Sequence, residues 1–83
     1  MTDQELLQRF ARTLRDLLGD DSITLSMDTR RSDVAGWDSF MYVNFIVAVE
    51  LDLGIKFGVA DVESFETVGD IVAETQALLA AAR

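Results

Sequence analysis

Apolar residues recur at helical spacing through the first part of the chain, with arginines between them. Thr2 and Glu5 stand at the spacing of a capping box, in which each side chain binds the backbone N–H of the other residue. A helix should begin here, and Gly19 should end it, because glycine adopts the left-handed conformation without a Cβ clash. The apolar positions that predict its buried face are Leu6, Leu7, Phe10, Leu14, Leu17 and Leu18.

No period persists from residue 20 to residue 38, which predicts a long loop. A structureless connection of this length is unusual in a compact domain, so we expect its scattered apolar residues to pin it across the helices. These residues are Ile23, Leu25, Met27, Val34 and Trp37, of which Trp37 would be the largest anchor.

The segment from residue 40 to residue 53 is highly apolar, and its pattern fits two structures. Its β-branched and aromatic content is typical of a buried strand, whereas its length favours a helix. Either Asp38 or Ser39 can cap the start of such a helix, and Gly54 can end it. We therefore predict a second helix.

The remaining residues predict two further helices. An extended stretch should follow Gly54, with one short helical turn over Asp61 to Phe65. Thr67 and Asp70 have a spacing similar to that of a capping box and should start the last helix. Its expected buried residues are Val68, Ile71, Val72, Leu78 and Leu79. The prediction is an all-α fold of three longer helices, one short helix and a long first loop.

Length and composition narrow the class of protein. A chain of 83 residues fits one domain, here residues 1–83, and we expect a monomer. Cysteine is absent, which excludes disulfides and suits a reducing compartment. The first ten residues lack the layout of a signal peptide, and the run from Phe40 to Val49 is too short to span a bilayer. The sequence therefore predicts a soluble cytoplasmic protein that does not bind a membrane.

Charge excludes further classes of partner. Residues 1–37 hold five basic and seven acidic side chains, a balance of −2, whereas residues 38–83 hold two and eight, a balance of −6. Nucleic acid would be repelled, whereas basic protein surfaces would be attracted. The acidic groups Asp20-Asp21 and Asp61/Glu63/Glu66 lack the spacing of a calcium loop, so we predict solvated faces and no metal site.

Ser39 is the residue with the most chemical interest, and the residues alone leave three interpretations open. It could cap a helix, a common role for serine. It could be a hydrolytic nucleophile, although the chain has no histidine and only Lys56 as a lysine base. It could also be modified by another enzyme, since a phosphate or phosphodiester at a helix N-terminus lies at the positive end of the helix dipole.

From Asp38 to Val68 the sequence resembles the acyl carrier protein family. Asp38-Ser39-Phe40 stands at the Asp-Ser-Leu motif that opens the second helix of that family. Gly54-Ile55 matches its helix-ending glycine and the following isoleucine, and Phe65-Glu-Thr67-Val68 resembles the start of its last helix. Val43, Ile46, Ala48 and Val49 fit the family's inward-facing pattern, and Glu50 matches an acidic position.

The resemblance implies a four-helix bundle of the acyl-carrier type that performs no chemistry of its own. A phosphopantetheinyl transferase would join 4′-phosphopantetheine from coenzyme A to Ser39, with Asp38 in the recognition motif. Loading and transferring enzymes would then exchange an acyl or aminoacyl thioester on that arm. We expect a discrete acyl carrier of a specialised lipid or polyketide-type pathway. The alternatives are an aminoacyl or peptidyl carrier, and an acidic interaction module in which Ser39 is only a cap.

Departures from the family motif concern the outer face of the second helix. Phe40 replaces the usual leucine, and Met41, Asn44 and Leu51 occupy positions that are often acidic in the carriers of fatty acid synthesis. Some of these residues could pack under the long loop, or they could form an apolar docking patch. Our hypothesis for partner recognition comprises Asp38, Phe40, Met41, Tyr42, Val47 and Leu51. A second hypothesis is that Phe45, Phe57 and Phe65 fill the space between the helices, so that a short or polar cargo stays outside.

Overall fold

A computed structural model describes residues 1–82, which contain four α-helices, one short 3-10 helix and no strand. The helices are α1 (Asp3–Leu18), α2 (Ser39–Leu53), α3 (Val59–Ser64) and α4 (Val68–Ala81), and the 3-10 helix is Arg31–Asp33. The all-α prediction and the predicted order of long and short helices are confirmed. In the described part of the chain, no helix is long and apolar enough to cross a membrane.

Both ends of α1 follow the predicted local signals. The Glu5 amide donates to Thr2 Oγ1 at 3.1 Å, and the Thr2 amide donates to the Glu5 carboxylate at 2.9 Å. Gly19 ends the helix with a φ of 64°, a value that favours glycine. Leu6, Phe10 and Leu14 are buried on the face that meets α2 and α4.

The long first loop is pinned to the helices, as predicted. Ile23 and Trp37 are buried, and the remaining apolar anchors are half-buried. Backbone contacts add to this packing, because the Val68 and Gly69 amides donate to carbonyl oxygens of the loop at 2.8 Å each. A Cβ atom on Gly69 would lie 2.7 Å from the carbonyl oxygen of Met27, so only glycine allows this close approach.

The core centres on Phe45 of α2. Its ring meets the ring of Phe10 edge-on at a centroid distance of 5.6 Å and that of Trp37 at 5.2 Å. Ile46 and Val49 are buried beside it, as expected, whereas Val43 was predicted to face inward and is exposed. The prediction for Val43 is wrong because the buried arc of α2 runs through residues 45, 46 and 49, and Val43 lies beyond its edge.

The second half of the chain differs from the prediction at two places. Helix α3 begins at Val59 and ends at Ser64, earlier than the predicted turn, because the Gly58 carbonyl already accepts from the Val62 amide at 3.0 Å. Thr67 and Asp70 form the predicted cap of α4, and the Glu66 and Thr67 amides that bind the Asp70 carboxylate lower its pKa. Leu78 and Leu79 are only half-buried, since they lie near the end of this helix.

Candidate functional site

Ser39 is exposed at the first position of α2, and no protein group within residues 1–82 forms a hydrogen bond with its hydroxyl. Asp38 is the N-cap instead, since its Oδ1 accepts from the Met41 amide at 2.9 Å. The choice between Asp38 and Ser39 as the cap is thereby decided for Asp38. The Ser39 oxygen remains free for another role.

The surroundings of this hydroxyl favour an attached anion over a nucleophilic role. The first amides of α2 have no partner within the helix and lie at the positive end of its dipole, where a phosphodiester is stabilised. A nucleophilic serine needs a base within hydrogen-bonding reach, and Lys56 follows the opposite end of this 15-residue helix, which is about 22 Å long. The site therefore fits a covalent anionic group and lacks the parts of a hydrolase.

An open groove of about 780 Å³ runs beside Ser39, between the long loop, α2 and α3. Its walls include Arg31 and Trp37 from the loop and Tyr42 from α2. The Tyr42 hydroxyl donates to the Val62 carbonyl oxygen at 2.7 Å and so joins α2 to α3. Burial raises the pKa of Tyr42, and the nearby Arg31 guanidinium opposes this shift only in part, so the hydroxyl remains a donor at neutral pH.

Four apolar residues form an exposed stripe along α2, which we call the α2 stripe. Their exposed fractions are 72% for Phe40, 56% for Val43, 46% for Val47 and 81% for Leu51. Their spacing of three and four residues places them on one side of the helix. Sequence reasoning included three of them and missed Val43, whose position could have been found by extending the helical period from the other three. Asp38 is also exposed.

Met41 and Tyr42, the other two residues expected in partner recognition, are half-buried and pack against the core. Tyr42 faces the groove, where its ring also lies near Trp37 at a centroid distance of 6.2 Å. Met41 and Tyr42 therefore do not belong to the α2 stripe. Of the three residues for which packing beneath the long loop was an alternative, Met41 and Asn44 are half-buried and Leu51 is exposed.

The two carboxylates of α2 are engaged in contacts within the protein. The Glu50 carboxylate accepts a hydrogen bond from the Phe57 amide at 2.8 Å. The Asp52 carboxylate accepts two hydrogen bonds from Arg9, one from Nε at 3.1 Å and one from Nη2 at 2.9 Å. The outer side of α2 consequently presents apolar side chains rather than unpaired carboxylates. Over residues 1–82, no group of three or more acidic, histidine or cysteine side chains is arranged to hold a metal ion.

Comparison with known proteins identifies the family. A family described as "Phosphopantetheine attachment site" matches residues 6–74. An acyl carrier protein of Thermotoga maritima is 30% identical over 69 residues, which cover 83% of this chain and 85% of that protein. A solution structure of the holo acyl carrier protein from Geobacter metallireducens superimposes with a TM-score of 0.84 at 32% identity, covering 92% of this chain and 87% of that one.

These matches confirm the resemblance found in the sequence, together with the four-helix fold. They also decide between the carrier and the plain acidic interaction module in favour of the carrier. The cofactor of such a carrier is a covalently attached phosphopantetheine, and its role is to present a bound group to enzymes rather than to catalyse a reaction. The chain belongs to the acyl carrier protein family.

Proposed function

We propose that Ser39 carries the phosphopantetheine arm and that the protein serves as a discrete acyl carrier. The observation that carries this proposal is the state of the Ser39 hydroxyl, which is exposed and without a hydrogen-bond partner in residues 1–82. Asp38 performs the capping, so modification of Ser39 removes no contact that the fold needs. A phosphopantetheinyl transferase would join the Ser39 oxygen to phosphorus and release the nucleotide half of coenzyme A.

When bound, the arm supplies the thiol that this cysteine-free chain lacks. Tethering the cargo raises its effective concentration at each acyl-handling enzyme that binds the carrier. The chain's own residues hold the attachment point at a rigid helix start, because Asp38 fixes the first turn and Trp37, the residue before Asp38, is buried in the core. Asp38 is exposed, and the carboxylate oxygen that does not cap the helix is available for recognition by the transferase.

The attachment site can be tested by loading and peptide mapping. The apo protein is incubated with coenzyme A, Mg²⁺ and a broad-specificity transferase, and its intact mass and proteolytic peptides are measured. We expect one added phosphopantetheine, located on Ser39 and not on Ser32, the other serine that lines the groove. Modification of a different residue, or none on folded protein, would overturn the proposal.

We infer that the protein works as a monomeric single domain in the cytoplasm. Its radius of gyration is 11.8 Å. A compact domain of this length is expected to have a radius of gyration of about 12 Å. The absence of cysteine and the net charge of −8 suit a soluble protein in a reducing compartment.

The partner surface that we propose consists of the α2 stripe with Asp38, whereas Met41 and Tyr42 pack against the core. The stripe is apolar along its whole length, whereas both carboxylates of α2 are bound within the protein. Acyl-handling enzymes for this carrier should therefore present an apolar surface to it, since burial of aromatic and aliphatic side chains would dominate the contact.

A double substitution, Val47→Glu with Leu51→Glu, should reduce transfer of the acyl group to a partner enzyme at least tenfold. Two carboxylates would be buried against an apolar surface, and each unpaired charge is costly there. The measurement is the transfer rate at low carrier concentration, together with the free energy of unfolding from urea titration. Ala73→Glu adds charge on an exposed position of α4 and is the control. Unchanged transfer by the double variant would rule out the stripe as the docking surface.

For the cargo we propose a short or polar acyl unit, as in a specialised lipid or polyketide-type pathway. Phe45 and Phe57 are buried, and Phe57 meets Phe65 edge-on at a centroid distance of 5.7 Å. Behind the groove, the cavity beside Trp37 has a volume of about 20 Å³. That volume admits about one water molecule and no acyl chain.

This cargo proposal predicts that an acetyl group leaves the core unchanged. The methyl resonances of Val49, Val68 and Val72, which are buried, should have the same chemical shifts in the holo and acetyl forms. An octanoyl group should remain in solvent and should also leave these chemical shifts unchanged. Large shifts of these methyl resonances with octanoyl cargo would show that the chain enters the core and would contradict the proposal.

A further inference from the structure

Arg31 is a cation without an acidic partner beside the groove. Ion pairs within residues 1–82 join Arg9 to Asp52 and Arg30 to Glu66, and neither includes Arg31. The Arg31 guanidinium instead lies over the ring of Tyr42, with its central carbon 5.2 Å from the ring centroid. Because the Tyr42 hydroxyl is bound to the Val62 carbonyl oxygen, that ring is a fixed platform. The guanidinium is thus held in place while its N–H donors remain available.

The Arg31 side chain lies near Ser39. Tyr42 follows Ser39 by three residues in α2, a spacing that places the two Cβ atoms about 5–6 Å apart on one side of the helix. Arg31 and Ser39 line the same groove. An anionic group bonded to the Ser39 oxygen would therefore come within reach of the Arg31 side chain.

Most charged residues around the groove are acidic, so a cation there would offset their repulsion of an anionic group on Ser39. Asp38, Glu63 and Glu66 are the acidic residues that line it, and Arg30, its other cation, is 3.9 Å from Glu66. A phosphodiester on Ser39 would add one more negative charge to this group. Of the two cations that line the groove, Arg31 is the one without an ion pair to a carboxylate of residues 1–82, and its planar guanidinium fork matches two phosphate oxygens.

We propose that Arg31 is a positioning residue that pairs with the phosphodiester of the arm on Ser39 and holds the base of the arm over the groove between the loop, α2 and α3. The pairing rests on the proposed attachment at Ser39. It restricts the first part of the arm while leaving the thiol end mobile, and it directs the arm toward Tyr42 and Trp37.

Nuclear magnetic resonance can test this pairing without any partner enzyme. We expect the Nε–Hε resonance of Arg31 to move downfield from the apo to the holo protein, and to move back as salt is added, because an exposed ion pair is screened. The indole N–H of Trp37, the single tryptophan of the chain, reports on the same groove. Its apo-to-holo shift should be lost in Arg31→Gln.

Variants make the test specific. Arg31→Gln should narrow the ³¹P line of the holo protein, since the base of the arm becomes freer, and Arg31→Lys should restore part of the broader line by keeping the charge. Arg12→Gln removes an exposed charge from α1 and should leave the ³¹P line as in the wild type. Equal spectra of all the holo proteins would overturn the proposal. The proposal would also be overturned if Arg31→Gln changed only the rate of loading, because Arg31 would then act through contact with the transferase.

Peptide mapping of the same samples separates this proposal from the assignment of Ser39. An arm found on another residue would overturn both. An arm found on Ser39, with no response of Arg31 to loading, would overturn only the pairing.

Discussion

A Ser39→Ala variant is expected to take up no phosphopantetheine at all, while its free energy of unfolding stays within about 0.5 kcal/mol of the wild type. Loading is lost because the oxygen that forms the phosphodiester is gone. Stability is kept because the Ser39 hydroxyl has no hydrogen-bond partner in residues 1–82 and alanine is a better helix former. Intact mass after incubation with a transferase measures the first effect, and urea titration measures the second. Ser32→Ala, in the same groove, should load normally.

This pair of measurements also separates the two roles that serine can have at a helix start. Removing the real cap, by Asp38→Ala, should cost about 1 kcal/mol, because the Met41 amide loses its acceptor. A similar loss in Ser39→Ala would mean that Ser39 caps the helix in solution. Loading of Ser39→Ala would exclude Ser39 as the attachment point.

Phe45→Ala should have the largest effect on stability, a loss of about 3–5 kcal/mol. The ring is fully buried and meets the rings of Phe10 and Trp37 edge-on, so its removal leaves a cavity between α1, α2 and the loop. Small domains are stable by only about 5–15 kcal/mol, and the variant should therefore be partly unfolded in moderate urea. Val47→Ala, a truncation on the exposed side of the same helix, is the control and should cost less than about 1 kcal/mol.

The same substitution should also slow loading, because the core and the attachment site share Trp37. This residue precedes Asp38 directly and packs against Phe45 at a centroid distance of 5.2 Å. Loss of the phenyl ring would loosen Trp37 and with it the start of α2. A loss of about 1 kcal/mol or less in Phe45→Ala would contradict the central position of this ring.

The α2 stripe and the groove meet at Val43, and in our proposal they have two different tasks. The stripe extends along α2 away from Ser39 and, in our proposal, binds partner enzymes through apolar contact. The groove lies between the loop and α3, with Arg31 at its wall and Trp37 beneath, and in our proposal receives the base of the arm. An arm held in the groove would meet the stripe at Val43 and leave the other residues of the stripe free for a partner enzyme.

Local signals in the sequence were sufficient for the ends of α1, for the start of α4 and for the attachment candidate, but not for the bounds of α3 or for the 3-10 helix. The caps at Thr2 and Thr67 and the helix end at Gly19 depend on hydrogen bonds and backbone angles within three or four residues, which a pattern of residue types can reveal. Ser39 was found in the same way, from its place at the start of an apolar helix and from the motif around it.

Only the tertiary structure decided which side chains of α2 face solvent and which charges are free. Val47 and Val49 are both valines in one apolar run, yet Val47 is exposed and Val49 is buried, because the other elements pack against one side of α2 only. Asp52 forms an ion pair with Arg9, 43 residues away in the chain. The Arg31 guanidinium, which belongs to the loop, lies over the ring of Tyr42 in α2. Contacts between residues distant in the chain arise from packing of the whole fold, so no local pattern of residue types encodes them.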